Sequence, residues 1–125
     1  MADLPPPVLE VFYSPTCAPC RLELPVVAQL VNQGGVRVHV VILDQEERAR
    51  EELREVSVDL EASAEGRYDK VPNAVLRAAG NSNGILPYAR TLAANGAVCA
   101  KWAGGLTLTR IRDMLDACAR LISPG

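Results

Sequence analysis

At 125 residues the chain has the size of one ordinary domain, and its 49% hydrophobic and 22% charged content suits a soluble fold around a buried core. The net charge is -2, Lys70 and Lys101 are the only lysines, and the arginines are scattered, which argues against a nucleic-acid or anionic-membrane surface. No apolar run reaches the length of a bilayer span, and the N-terminus carries neither the charged nor the apolar region of a signal peptide.

Residues 1–7 end in Pro5-Pro6-Pro7 and read as a Pro-rich extension, a stiff tail or linker stub, ahead of a domain over residues 8–125. Val8 to Tyr13 (VLEVFY) predicts a buried strand, and Ser14-Pro15-Thr16 a turn in which Thr16 or Ser14 can cap a helix. Arg21 to Asn32 predicts that helix. Its apolar face is Leu22, Val26, Val27, Leu30 and Val31, Pro25 kinks it, and Gly34-Gly35 ends it. Val36 to Leu43 (VRVHVVIL) is nearly all apolar and β-branched, as in a central parallel strand, so the first three elements form a right-handed βαβ unit.

A helix rich in Glu and Arg at helical spacing is expected from Asp44 or Gln45 to about Glu55. Val56 to Leu60 (VSVDL) alternates and predicts a short strand, followed by a polar stretch from Glu61 to Lys70. Asn73 to Ala79 predicts a short helix entered through Pro72 and ended by the run Gly80 to Gly84. Pro87 to Leu92 and Ala97 to Ala103 predict a hairpin around Asn95-Gly96, broken by Gly104-Gly105. Thr107 caps a last amphipathic helix with the stripe Leu108, Ile111, Leu115, Cys118 and Ile122. A βαβ half, a helix-rich insertion and a ββα half predict a three-layer α/β/α fold around a central mixed sheet.

The chemistry concentrates in Cys17-Ala18-Pro19-Cys20. A C-x-x-C between a strand and a helix puts its first sulfur at a helix N-terminus. Unpaired N–H groups and the helix dipole there favour the thiolate, the nucleophile of disulfide exchange. Cys17 is therefore expected to be exposed with a lowered pKa, and Cys20, one turn on, to be more buried. The competing reading is half of a zinc site. Zinc commonly takes two ligand pairs, and no second C-x-x-C or H-x-x-x-H is present, so redox chemistry is the reading favoured.

Cys17-Ala18-Pro19-Cys20-Arg21-Leu22-Glu23-Leu24-Pro25 resembles the C-x-P-C-[RK]-x-E-x-P run of TlpA/ResA-type thiol-disulfide oxidoreductases, members of the thioredoxin-like fold. Leu86-Pro87-Tyr88, Asn95-Gly96 and Gly104 match, in order, that family's cis-proline, hairpin and closing glycine. The resemblance runs from Val8 onward. It implies that Cys17 attacks, Cys20 resolves, Glu23 is the acid kept close to the sulfurs, and Pro87 is a cis-proline. Leu86 would pair with an extended substrate strand, and Thr16 would lie at the substrate rim. Pro72 is the competing cis-proline candidate. Thr16 stands where the family usually has Trp, and Val11 where ordinary thioredoxins bury an acid, which shifts proton transfer to Glu23 or water. The family's N-terminal β-hairpin has no counterpart.

The resemblance also implies protein disulfides or dithiols as substrates and an upstream thiol electron donor, membrane-bound in the family. It implies no metal or organic cofactor beyond a redox-active Cys17–Cys20 disulfide, a monomer, and a periplasmic, membrane-tethered setting such as cytochrome c biogenesis. Four cysteines leave a cytoplasmic setting open. The alternative of a different class is a thioredoxin-fold binding or assembly module that holds Cu(I) or docks a maturation partner without turnover.

The remaining singled-out residues have plainer expectations. Cys99 and Cys118 are expected to be free thiols packing as small hydrophobes, a disulfide between them being the alternative. His39 is expected as a packed sheet-face residue, Trp102 as packing, and Arg21 as a surface residue.

Overall fold

A computed structural model describes residues 6–66 and 71–122 of the chain. Strand β1 (Val8–Tyr13) leads into helices α1 (Ala18–Leu22) and α2 (Leu24–Gln33), then β2 (Arg37–Ile42). The middle of the chain forms α3 (Glu46–Val56), α4 (Val58–Ala62), β3 (Ala64–Gly66) and α5 (Pro72–Ala78). The hairpin β4 (Tyr88–Leu92) and β5 (Val98–Ala103) and the helix α6 (Leu108–Ile122) complete it. The five strands lie in the order β3-β2-β1-β4-β5. β2 is parallel to β1 and β3, while β4 is antiparallel to β1 and β5. This is the expected mixed sheet with a βαβ and a ββα half.

The period-two alternation of β1 decides the layers. Leu9, Val11 and Tyr13 enter the larger core, with Val40 and Ile42 of β2 and apolar residues of α2, α3, α4 and α6. Phe12 points to the other face, into a smaller core with Val41, Tyr88 and α5 residues Val75 and Leu76. Glu10 shares that second face and is buried, because the register places it beside His39 on one neighbouring strand and Arg90 on the other. Glu10 Oε2 lies 3.0 Å from His39 Nδ1 and Oε1 accepts from Arg90 Nε at 2.6 Å, while His39 Nε2 lies 3.2 Å from Glu65. A buried carboxylate is tolerated here because both its oxygens are paired. His39 is the sheet-face residue expected.

Three expectations change. The segment predicted as one kinked helix is two, broken at Glu23 (φ -94°, ψ -5°). Pro25 has no N–H to give the carbonyl of Arg21, which accepts instead from the Glu23 N–H. The face also rotates: Leu24, Val27, Ala28 and Leu30 are buried, whereas Leu22 is 81% exposed.

Val56 to Leu60, predicted as a strand, is helical from Val58. The Ser57 hydroxyl accepts the Leu60 N–H at 3.2 Å, Asp59 and Glu61 suit the positive end of the dipole, and Leu60 alone of the alternating residues is fully buried. The polar stretch after it contributes the short edge strand β3, and residues 67–70 of that stretch lie outside the described residues.

The third correction concerns Cys99 and Cys118. They are not free thiols: they form a disulfide, with Cα atoms 4.9 Å apart. α6 packs against β5, and the register irregularity between Thr91 and Leu92 re-aims the strand near Cys99. Elsewhere on α6 the Thr107 hydroxyl accepts the Arg110 N–H as expected, and Met114 joins Ile111 and Cys118 in the buried stripe. The Ile122 side chain and residues 1–5, with most of the Pro-rich extension, lie outside the described residues.

Candidate active site

β1 ends in the sheet centre at Tyr13, and the chain turns through Ser14-Pro15-Thr16 to reach Cys17. The expected cap, Thr16 or Ser14, is not the one used: Cys17 is itself the N-cap of α1, and its Sγ accepts the Cys20 N–H at 3.2 Å. A sulfur that accepts a backbone N–H at a helix start is one whose anion is stabilised. Cys17 is half-buried and Cys20 is 1% exposed. The two are disulfide-bonded, with Cα atoms 5.2 Å apart.

The turn is held from outside by a contact that sequence reading missed. The Ser14 hydroxyl donates to Asp44 Oδ1 at 2.8 Å and stands 2.8 Å from the Thr16 hydroxyl, which therefore donates to it. The Arg21 guanidinium crosses back to the Pro15 carbonyl. Asp44 lies two residues past the end of β2, and polar residues at the carboxyl ends of parallel strands are where such sites are built. That position was the available signal. Thr16 is exposed and precedes Cys17 in the chain.

The Leu86–Pro87 peptide bond is cis, as expected for Pro87, and it is the one cis bond among the described residues, so Pro72 is not the cis-proline. Pairing of Tyr88 with Phe12 sets Pro87 at the end of β1 from which Cys17 emerges. Pro87 is buried, and Leu86 is half-buried against the core cluster that also contains Cys20. The loop before it is tied by buried Asn81, whose side-chain amide donates to the Ile85 carbonyl at 2.7 Å. Asn81 was visible in the sequence only as part of a turn-rich run.

Glu23 sits at the break between α1 and α2, 5% exposed. Its Oε2 accepts the Leu106 N–H at 2.9 Å, and Oε1 is buried with no hydrogen-bond partner among the described residues. Burial pushes its pKa up to about 7, against the opposing pull of the Leu106 N–H. A carboxyl titrating near neutrality one helical turn from Cys20 can take or give a proton there. The structure thus brings Cys17, Cys20, Glu23, Thr16, Leu86 and Pro87 to one end of the sheet. Trp102 is more than packing: its indole N–H donates to the Gly105 carbonyl at 3.0 Å, and the Arg110 guanidinium stacks on its ring at 3.8 Å.

No family model and no curated protein matches the chain. Solved structures do. A thioredoxin-related protein from Neisseria meningitidis serogroup B superposes with a TM-score of 0.75 at 18% identity, covering 92% of this chain and 86% of that one. DsbF from MTB, solved in mixed oxidised and reduced forms, gives 0.68 at 22% identity over 92% and 82% of the two chains. A secreted Mycobacterium tuberculosis disulfide oxidoreductase homologous to E. coli DsbE gives 0.68 at 15% identity over 90% and 81%. The chain therefore has the thioredoxin-like fold.

Proposed function

We propose that the protein is a thiol-disulfide oxidoreductase of the TlpA/ResA-like kind that reduces protein disulfides through Cys17 and Cys20. The observation that carries this reading is a half-buried N-cap cysteine bonded to a buried one, at the sheet end that also holds a cis-proline. Structural likeness to a DsbE homologue and to DsbF supports it.

In the reduced protein the Cys17 thiolate attacks one sulfur of a substrate disulfide. That S–S bond breaks, the departing substrate sulfur takes up a proton from solvent, and a Cys17–substrate mixed disulfide forms. Cys20 passes its proton to the Glu23 carboxylate or to water, and its thiolate attacks Cys17 Sγ. The second substrate sulfur leaves as a thiolate and takes up the proton that Cys20 gave to Glu23 or to water. The substrate has gained two electrons, and the protein is left as the Cys17–Cys20 disulfide, to be reduced by an upstream thiol donor. Leu86 offers its peptide group to an extended substrate segment beside Pro87, with Thr16 at the rim. The setting is extracytoplasmic: the second disulfide, Cys99–Cys118, belongs to an oxidising compartment, and one structural neighbour is a secreted protein.

A Cys20→Ser variant tests the reading. It should accumulate a Cys17 mixed disulfide with a disulfide-bonded protein substrate, resolved by added dithiol. No trapped adduct, together with a Cys17 thiol that titrates as an ordinary cysteine near 8.5, would overturn it. The potential of the couple against glutathione then fixes the direction: a strongly negative value marks a reductant.

A further inference from the structure

Three consecutive residues between β5 and α6 each make one bond to a different part of the molecule. The Gly104 N–H donates to the Pro87 carbonyl at 2.8 Å, which ties the loop to the cis-proline segment. The Gly105 carbonyl accepts the Trp102 indole N–H at 3.0 Å. The Leu106 N–H donates to Glu23 Oε2 at 2.9 Å. The loop is packed tightly where it matters: a Cβ on Gly104, whose φ is +143°, would lie 3.3 Å from the Trp102 indole nitrogen. The guanidinium carbon of Arg110, from the first turn of α6, sits 3.8 Å over the centre of the indole, so the ring is held between the strand that carries it and the helix that follows.

We propose that Trp102 and Arg110 are positioning residues for the redox site, a clamp that fixes the 104–106 loop so that it holds the cis-proline segment with one N–H and the Glu23 carboxyl with another. This rests on the oxidoreductase reading for its purpose, though its geometry does not. The clamp acts through the backbone and touches neither sulfur nor substrate. Its chemical consequence falls on Glu23. The charged groups on the neighbouring elements are Arg21 of α1, Lys101 of β5 and Arg110 of α6; burial raises the Glu23 pKa and the Leu106 N–H opposes it. The one favourable contact of the buried carboxylate is therefore delivered by a loop that a surface-side ring holds in place. Loosening the ring weakens that contact and favours the protonated acid.

The test is a carbon-13 NMR titration of Glu23 in the oxidised protein, free of substrate, for wild type, Trp102→Phe, Arg110→Gln and Arg110→Lys. Trp102→Phe keeps an aromatic face under Arg110 and removes only the indole N–H. The Glu23 midpoint should rise by about one pH unit, the worth of one hydrogen bond to a carboxylate. Arg110→Lys keeps the charge and loses the stacking plane, so it should raise the midpoint as Arg110→Gln does. An unmoved midpoint in Trp102→Phe overturns the clamp. So does a rise in Arg110→Gln that Arg110→Lys abolishes, which would make Arg110 a through-space charge. If Trp102→Phe does not fold, the two Arg110 variants decide the matter alone. Because no substrate enters the measurement, it judges the clamp whether or not the protein exchanges disulfides. The pH profile of Cys17–Cys20 exchange, moving upward with the midpoint, then joins the clamp to the chemistry.

Discussion

Replacing Glu23 with glutamine should make the protein more stable at alkaline pH and leave it nearly unchanged in acid. The side chain is 5% exposed, with one oxygen bonded to the Leu106 N–H and the other without a partner among the described residues. Its pKa rises from an ordinary 4.5 to about 7, and burial is the main cause. A carboxyl whose folded-state pKa is raised binds its proton more tightly folded than unfolded. Its contribution is fully present below 4.5 and is lost as pH climbs through about 7. At about 1.36 kcal/mol per pH unit, a difference of roughly 2.5 units corresponds to about 3 kcal/mol.

Glutamine mimics the protonated acid in shape, can keep the bond from Leu106, and carries no charge to desolvate. Glu10 and His39 titrate in both proteins, so their effects cancel in the comparison. Urea unfolding of the two oxidised proteins at about pH 4.5 and about pH 8.5 reads the difference directly: the Glu23→Gln advantage should open from near zero to about 3 kcal/mol. An advantage of the same size at both ends, or none at the alkaline end, would show that the carboxyl is not held protonated by its burial.

The cluster on the other sheet face should respond in the opposite sense to substitution. His39 has its pKa raised, chiefly by its bond to Glu10, so its stabilisation is present below its ordinary 6.5 and is lost as pH rises through the elevated folded value. His39→Gln should thus cost about 1 kcal/mol near pH 5.5 and little near pH 9, read by urea unfolding at the two pH values. Replacing both Cys99 and Cys118 by serine opens a loop that spans 19 positions and should cost about 3 kcal/mol in the same assay, while Cys17–Cys20 exchange persists. Ser57→Ala removes the cap of α4 and should cost about 1 kcal/mol; a loss below about 0.3 kcal/mol would mean that Leu60 burial alone holds that helix.

Most of the architecture could be read from periodicity and turn chemistry. β1 and β2 are dense apolar runs bounded by Pro and Gly, Asn95-Gly96 marks the hairpin, and Thr107 marks the start of α6. The two cysteines of the site were legible from their place between a strand and a helix, and Pro87 from the segment that follows it. What escaped was tertiary. VSVDL alternates like a strand, but a single hydroxyl at Ser57 and the burial of Leu60 settled it as a helix. Cys99 and Cys118 are 19 positions apart, and only the docking of α6 on β5 sets their Cα atoms 4.9 Å from one another. Asp44 and Asn81 hold the two loops that frame the sulfurs, yet each looks in sequence like any polar residue at the end of an element. Glu23 stood out through the family pattern. Its chemistry depends on burial and on an N–H supplied by a loop more than eighty residues away.

The two cystines of this molecule are alike in exposure, each with one half-buried and one buried sulfur, and differ in what the sulfurs become when they part. One has Cys17 at a helix start, where a backbone N–H steadies the thiolate that forms. The other has Cys118 buried inside the final helix, away from any helix start. A mild dithiol should therefore empty the first long before it touches the second, so the fold keeps a permanent rivet and a working hinge pin side by side without the reagent that serves one undoing the other.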